Sequence, residues 1–387
     1  GALEQSMRIL KINARTVEIS RYADASVPGG GLTTTVVAVV TSAERGGRPV
    51  TGYGFSSIGR FAQTGLINER FAPRLLAAVD RDLVAADGTL DPTRAWDVLM
   101  KDEKAGGHGE RCVAVGTLDM ALWDAAAKVA DVPLHMLLQR RFERAQTNRV
   151  AVYAAGGYDF PTNDIERLCD EIREFLDAGY TMVKIKIGKK ALAEDLKRIE
   201  AALSIVSGAR LAVDAMNRYS PRAALEAAHA IAPYALRWFE DASDPLDFDT
   251  HARLCASYEP ALGIGEATFS LPDARNLLRY AGMRPARDRL IFDPAHCYGL
   301  PEYVRIIETF ESAGWNRQAF FPHGGHLFSL HVAAGLGLGG SEANPRIFQP
   351  FGGFEDGAVV EDGFASLPSI PGIGFEGRAA LKPLLVD

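Results

Sequence analysis

Three acidic residues, Asp214, Glu240 and Glu266, each close a short apolar run, and successive members stand 26 residues apart. One strand-plus-helix unit separates each acid from the next, so in a closed parallel barrel all three would meet at the mouth formed by the strand ends. Three carboxylates held together repel one another unless a cation neutralises them. A donor set made only of oxygen suits Mg2+, which keeps positions free for water or substrate oxygens.

Two bases flank these acids. In Lys184-Ile-Lys186 the strand alternation puts both ammonium groups on one face, pointing inward if Val183, Ile185 and Ile187 face the helices. Burial and a neighbouring like charge would lower a lysine pKa towards neutrality and make a usable base. Asp293 and His323 end the next two strands, and an aspartate bonded to one ring nitrogen would fix the tautomer and support the charged imidazole. His326 is the rival imidazole, but it reads better as the opening of the following helix. Glu342 stands near a weak eighth strand, also at the mouth.

A lysine and a histidine on opposite sides of a divalent cation suit removal of a proton next to a carboxylate. The charge that builds on the carboxylate oxygens needs stabilising as it forms. The cation does so, and a protonated Glu342 would donate to the other oxygen. The resulting enediolate either regains a proton on its other face, which is racemisation or epimerisation, or expels a β-hydroxyl protonated by the second group, which is dehydration.

The elements that must position these groups fall into two textures. From Met7 to about Ser56, β-rich runs surround a glycine-rich loop at Pro28 to Gly31, and helices follow at 68–84, 92–100 and 111–129. From about Arg149, short apolar runs alternate with amphipathic helices. Eight runs are visible, at 150–155, 182–188, 209–215, 236–240, 263–266, 290–293, 319–323 and 338–342. The expected fold is a (β/α)8-type barrel with an N-terminal α+β capping domain. The expected division is 1–145 for the cap, 146–365 for the barrel and 366–387 for a return to the cap. An open doubly wound sheet is the alternative, but no GxGxxG or GxxxxGK[ST] pattern follows the first run.

Composition narrows the class. The chain has 387 residues, 47% apolar and 24% charged, an ordinary globular balance. A net charge of −7 without a dense basic run argues against nucleic acid and anionic membranes as partners, and no apolar stretch approaches a membrane span. The four cysteines lack CxxC or CxxH spacing, which excludes a disulfide framework or structural zinc site and fits a reducing cytoplasm.

With these residues assembled, the chain resembles the enolase superfamily and, within it, the mandelate racemase subgroup. Thr117-Leu-Asp-Met-Ala-Leu-Trp-Asp is similar to the family's helix before the barrel, and Pro371-Gly-Ile-Gly-Phe-Glu to its C-terminal return. Lys184-x-Lys186, Gly265-Glu266 and the Asp293/His323 pair are similar to the subgroup's motifs. The resemblance implies Mg2+ bound by Asp214, Glu240 and Glu266, and Lys186 as the proton-transfer lysine assisted by Lys184. It also implies His323 with Asp293 as the second acid/base, Glu342 as a carboxylate partner, and a homo-oligomer. Two motifs depart from the pattern: the usual Asp-x-Asn is Asp214-Ala-Met-Asn217, and the usual Glu-Glu-Pro is Glu240-Asp-Ala-Ser-Asp-Pro245.

In this family the early loops of the cap choose the substrate. Here they are 21–31 and 53–61, holding Tyr22, Ser56, Ser57 and Arg60 rather than large apolar groups, which favours a polar hydroxy acid. Lys104, in the segment Lys101 to His108, offers a cation for a second carboxylate, and Asn217 is a further candidate contact. The overall resemblance implies a Mg2+-dependent acid-sugar dehydratase, expected to act on D-tartrate to give oxaloacetate and water. The alternative is a racemase or epimerase using the same residues. A Schiff-base aldolase would leave the three acids unexplained, and the intact acid/base set argues against a non-catalytic carbohydrate-binding protein.

Overall fold

The computed structural model describes residues 6–20 and 32–387. The glycine-rich loop and the first substrate loop, with Tyr22, lie outside the described residues. An antiparallel sheet opens the chain: β1 (Ile9–Ile19), β2 (Leu32–Arg45) and β3 (Arg48–Phe55), in that order. Gly46 and Gly47 both take positive φ, which lets the two-residue hairpin between β2 and β3 follow the strand twist.

The barrel strands follow as β4 (Arg149–Ala155), β5 (Val183–Lys186), β6 (Leu211–Asp214), β7 (Trp238–Glu240), β8 (Leu262–Ile264), β9 (Arg289–Leu290) and β10 (Ser341–Ala343). They pair in parallel from β4 to β9, and β10 pairs with β4. The segment at 320–323 fills the remaining place. Phe321 and His323 donate backbone N–H to Leu290 and Phe292 at 2.9 and 3.1 Å, and Gly339 donates to Phe320 at 3.0 Å. The ring thus closes with eight members, as the sequence runs predict. A short hairpin, β11 (Val360–Glu361) and β12 (Phe364–Ser366), adds antiparallel to β4.

The expected helix 68–84 is broken. A widened turn at Ile67–Phe71 precedes a helix that stops at Ala77, with Ala78 extended. Pro73 accounts for the widening, because its ring lacks a donor and clashes with the carbonyl four residues back.

The helix Glu110–Val129 joins the two regions. It is buried around most of its circumference, so it behaves as a core helix and not as an amphipathic cover. A Cβ on Gly52 would lie 1.9 Å from the Ala121 carbonyl oxygen, and one on Gly116 would lie 1.8 Å from that of Ala295. Only glycine permits either approach. Asp119 accepts from the Leu300 backbone N–H at 2.8 Å, at the start of the helix Leu300–Ser312, while Asp124 accepts from Tyr53 and Ile373 at 2.8 and 2.7 Å. The last residues run back over the first sheet: Tyr53 donates its hydroxyl to Asp387 at 2.6 Å.

Candidate active site

Parallel register sets the first part of the site. Lys186 stands opposite Asp214, and Asp214 opposite Glu240, so three functional groups form one row across β5, β6 and β7. Lys186 Nζ is 2.7 Å from Asp214 Oδ2. Lys184, one inward position deeper, is fully buried and lies 2.9 Å from Glu240 and 2.8 Å from Glu342. Aromatic side chains of the barrel interior complete these acids: Trp238 Nε1 donates to Glu240 at 2.9 Å and the Tyr153 hydroxyl to Glu342 at 3.1 Å.

Two sequence-based electrostatic expectations are corrected here. Burial does push Lys186 down, but the Asp214 carboxylate, with Tyr158 and Glu342, more than reverses it, and its pKa is raised. Glu342 is not a protonated donor either: burial raises it, yet the adjoining Lys184 charge and those of His323 and Lys186 hold it below its ordinary value, as a carboxylate. Glu240 moves the other way, pushed up to about 8 by burial and the charges of Asp214 and Glu266 against the pull of Lys184.

Across the mouth, His323 Nδ1 lies 2.7 Å from Asp293 Oδ2 and its Nε2 2.7 Å from Glu266 Oε2. Burial opposes the charged ring, but Glu266 and Asp293 raise its pKa well above the ordinary value, so the imidazolium donates to both. The charged ring in turn lowers Glu266 well below its usual range against the effect of burial. His326 caps the helix Leu327–Leu336, as expected, and burial pushes it down to about 4.

Asp214, Glu240, Glu266 and Asp241 present oxygens that all lie within 4.8 Å of one another. Asp241 was not among the sequence candidates. Both its oxygens are buried and, among the described residues, meet no donor group, only the Glu266 carboxylate. A crowded, oxygen-only set with unpartnered carboxylate oxygens is the donor chemistry of a hard divalent cation, and the residues fit one.

Lys186, Glu266, His323, Glu342, Asn217 and Arg60 line one cavity of about 200 Å³, together with Tyr158 and Phe348. Arg60 stacks over Phe269 at 4.4 Å and also borders a wider groove leading outward. Asn217 spends its amide donor on the Ser243 carbonyl at 2.7 Å, bracing the loops after β6 and β7. Ser56 points away, sharing a hydroxyl contact of 2.9 Å with Thr117. Its neighbour Ser57, quoted in the sequence but not singled out, donates to Asp293 at 2.8 Å and meets His326 at 3.0 Å. Lys104 is exposed and lines a separate surface groove, not this cavity.

Residues 167–381 match the family model described as enolase C-terminal domain-like, and residues 32–139 match the mandelate racemase / muconate lactonizing enzyme N-terminal domain. Arabinonate dehydratase of Saccharolobus solfataricus is 26% identical over 291 residues, covering 72% of this chain and 74% of that protein. Among solved structures, a racemase from Streptomyces coelicolor A3(2) with bound magnesium superimposes with a TM-score of 0.73 at 23% identity, covering 95% of this chain and 96% of that one. L-Talarate dehydratase from Polaromonas sp. JS666, complexed with Mg and L-glucarate, gives 0.69 at 22% identity over 95% and 94% of the two chains. The two structural likenesses establish the fold alone.

Proposed function

The chain belongs to the enolase superfamily, in its mandelate racemase and muconate lactonizing enzyme subgroup, and from that premise we propose that it is a Mg2+-dependent acid-sugar dehydratase. The observation that carries the reading is the single cavity onto which Lys186 and His323 both open, beside the carboxylate cluster.

Asp214, Glu240 and Glu266 would hold the cation. A bound cation would supply positive charge to the substrate carboxylate and would offset the Asp214 charge that holds the proton on Lys186. Lys186, as the neutral amine, takes the α-proton of the substrate at Nζ. Lys184, held by Glu342, supplies positive charge beside the carboxylate of the enediolate that results. His323, charged and oriented by Asp293, gives its Nε2 proton to the β-hydroxyl, the C–O bond breaks, and water leaves. The enol then ketonises. Exchange of the two roles follows if the substrate presents its α-proton to the histidine side.

We take D-tartrate as the substrate. A cavity of about 200 Å³ is small for a ligand site and suits a four-carbon acid, and Arg60 at its rim offers a planar guanidinium to a distal carboxylate. Asn217 and Tyr158 also line the cavity, and Ser56 and Lys104 take no part in this reading. The test is a screen of acid sugars that includes D-, L- and meso-tartrate, with Mg2+ and with EDTA. Mg2+-dependent oxaloacetate from D-tartrate is the expected result. Keto acid from another sugar moves the substrate, while solvent deuterium entering unreacted acid without keto product makes the protein a racemase. Activity that resists EDTA overturns the metal-assisted reading.

A further inference from the structure

Asp241 directly follows Glu240, whose side chain points into the barrel mouth. Continued extended backbone would send Asp241 to the opposite face, among the helices. It does not continue: Asp241 has a φ of 49°, in the left-handed region, so the alternation is broken. Its backbone is pinned in that conformation, with its N–H donating to Gly263 at 3.0 Å and its carbonyl accepting from Asn217 at 2.7 Å. The turn delivers the carboxylate to the cluster of Asp214, Glu240 and Glu266, within 4.8 Å. There it is 2% exposed and faces the Glu266 carboxylate, itself an acceptor, and neither oxygen meets a donor group among the described residues. Every other acid of the site is bonded to a cationic side chain: Asp214 to Lys186, Glu240 and Glu342 to Lys184, Glu266 and Asp293 to His323.

A buried carboxylate without a partner is costly, and placing it beside three more raises the cost. A divalent cation in the cluster removes both penalties. We propose that Asp241 supplies a fourth carboxylate to the cation site, beyond the three that the strand ends provide. The inference rests on the reading that Asp214, Glu240 and Glu266 hold the cation. It also gives the two departures in the motifs a common role. The extra residue in Asp214-Ala-Met-Asn217 brings the Asn217 N–H to the Asp241 carbonyl, and the Asp at 241 uses the turn that results.

The test is direct titration of the full chain with Mn2+, reading free Mn2+ by electron paramagnetic resonance. The proteins are wild type, Asp241→Asn and Glu266→Gln. Asparagine accepts the left-handed backbone as readily as aspartate, so Asp241→Asn preserves the turn. Its dissociation constant should rise by about tenfold or more. In EDTA it should melt no lower than wild type, because it removes one of four crowded charges. A dissociation constant within about twofold of wild type, while Glu266→Gln loses affinity, overturns the role of Asp241 and leaves the three-carboxylate site standing. A marked fall in EDTA melting temperature also overturns it, since Asp241 would then brace the loop. Absence of saturable Mn2+ binding in wild type removes the underlying site and this inference together.

Discussion

The two walls of the cavity are built by different means. On the lysine wall, Lys186 reaches Asp214 on the neighbouring strand and Lys184 reaches Glu240 two strands away, across 28 and 56 residues. On the histidine wall, Asp293 holds His323 but is itself held by Ser57, 236 residues away on the N-terminal region, and His296 meets the Ser56 carbonyl at 3.1 Å. Among the described residues the polar contacts of the first wall stay within the barrel; those of the second involve both regions. The difference teaches that the N-terminal region holds the aspartate that orients the His323 imidazole.

The largest effects should be equal on the two walls. Lys186→Ala and His323→Asn each remove a proton-transfer group and should lower turnover by at least about 10⁴-fold, with far-ultraviolet circular dichroism unchanged. Near-normal turnover in either variant removes that wall from the mechanism.

Acid should separate two histidines that stand eight residues apart in the chain. His323 is held charged, whereas His331, on the helix that His326 caps, is buried and pushed down to about 3. His331 Nε2 donates to the Ile373 carbonyl at 2.7 Å and its Nδ1 accepts from the His135 N–H at 3.0 Å, so the ring is neutral with both nitrogens used. Between its unfolded pKa of about 6.5 and that folded value, the unfolded chain binds the proton and the folded chain does not, so this group's stabilisation is lost as pH falls. His331→Gln should therefore lose less melting temperature than wild type between about pH 7 and 5. Equal losses would mean the buried ring takes up its proton without unfolding.

A smaller effect sharpens the contrast directly. Ser57→Ala should destabilise the protein by about 1–2 kcal/mol and lower kcat more than KM, because it releases the carboxylate that orients His323. A variant with wild-type kcat would make the second wall as self-sufficient as the first. Smallest of all is Glu259→Gln, which breaks an exposed pair with Arg287 and should change stability by less than about 0.5 kcal/mol in denaturant titrations.

The same contrast decides what could be read from the chain. The ring of eight strands and the row of Lys186, Asp214 and Glu240 follow from periodicity, since parallel neighbours in register put strand-end residues together. Asp241 was not legible, because a single left-handed residue reverses the alternation on which facing was judged. Ser57 was not, because no local pattern marks a contact that spans most of the chain. Ser56, chosen beside it, shows how one position in a loop turns a side chain from the site to the core. The sign of the Lys186 shift was misjudged because burial and Lys184 were weighed without Asp214, whose approach is a matter of register.

Gly116 packs its bare backbone against the Ala295 carbonyl, and Ala295 donates its N–H to Asp293 at 2.7 Å. No side chain lies between them to act as a cushion. Displacement of the long helix is therefore passed undamped to the turn that steadies the imidazole, and the cap and this side of the barrel work as a single machine part with no play.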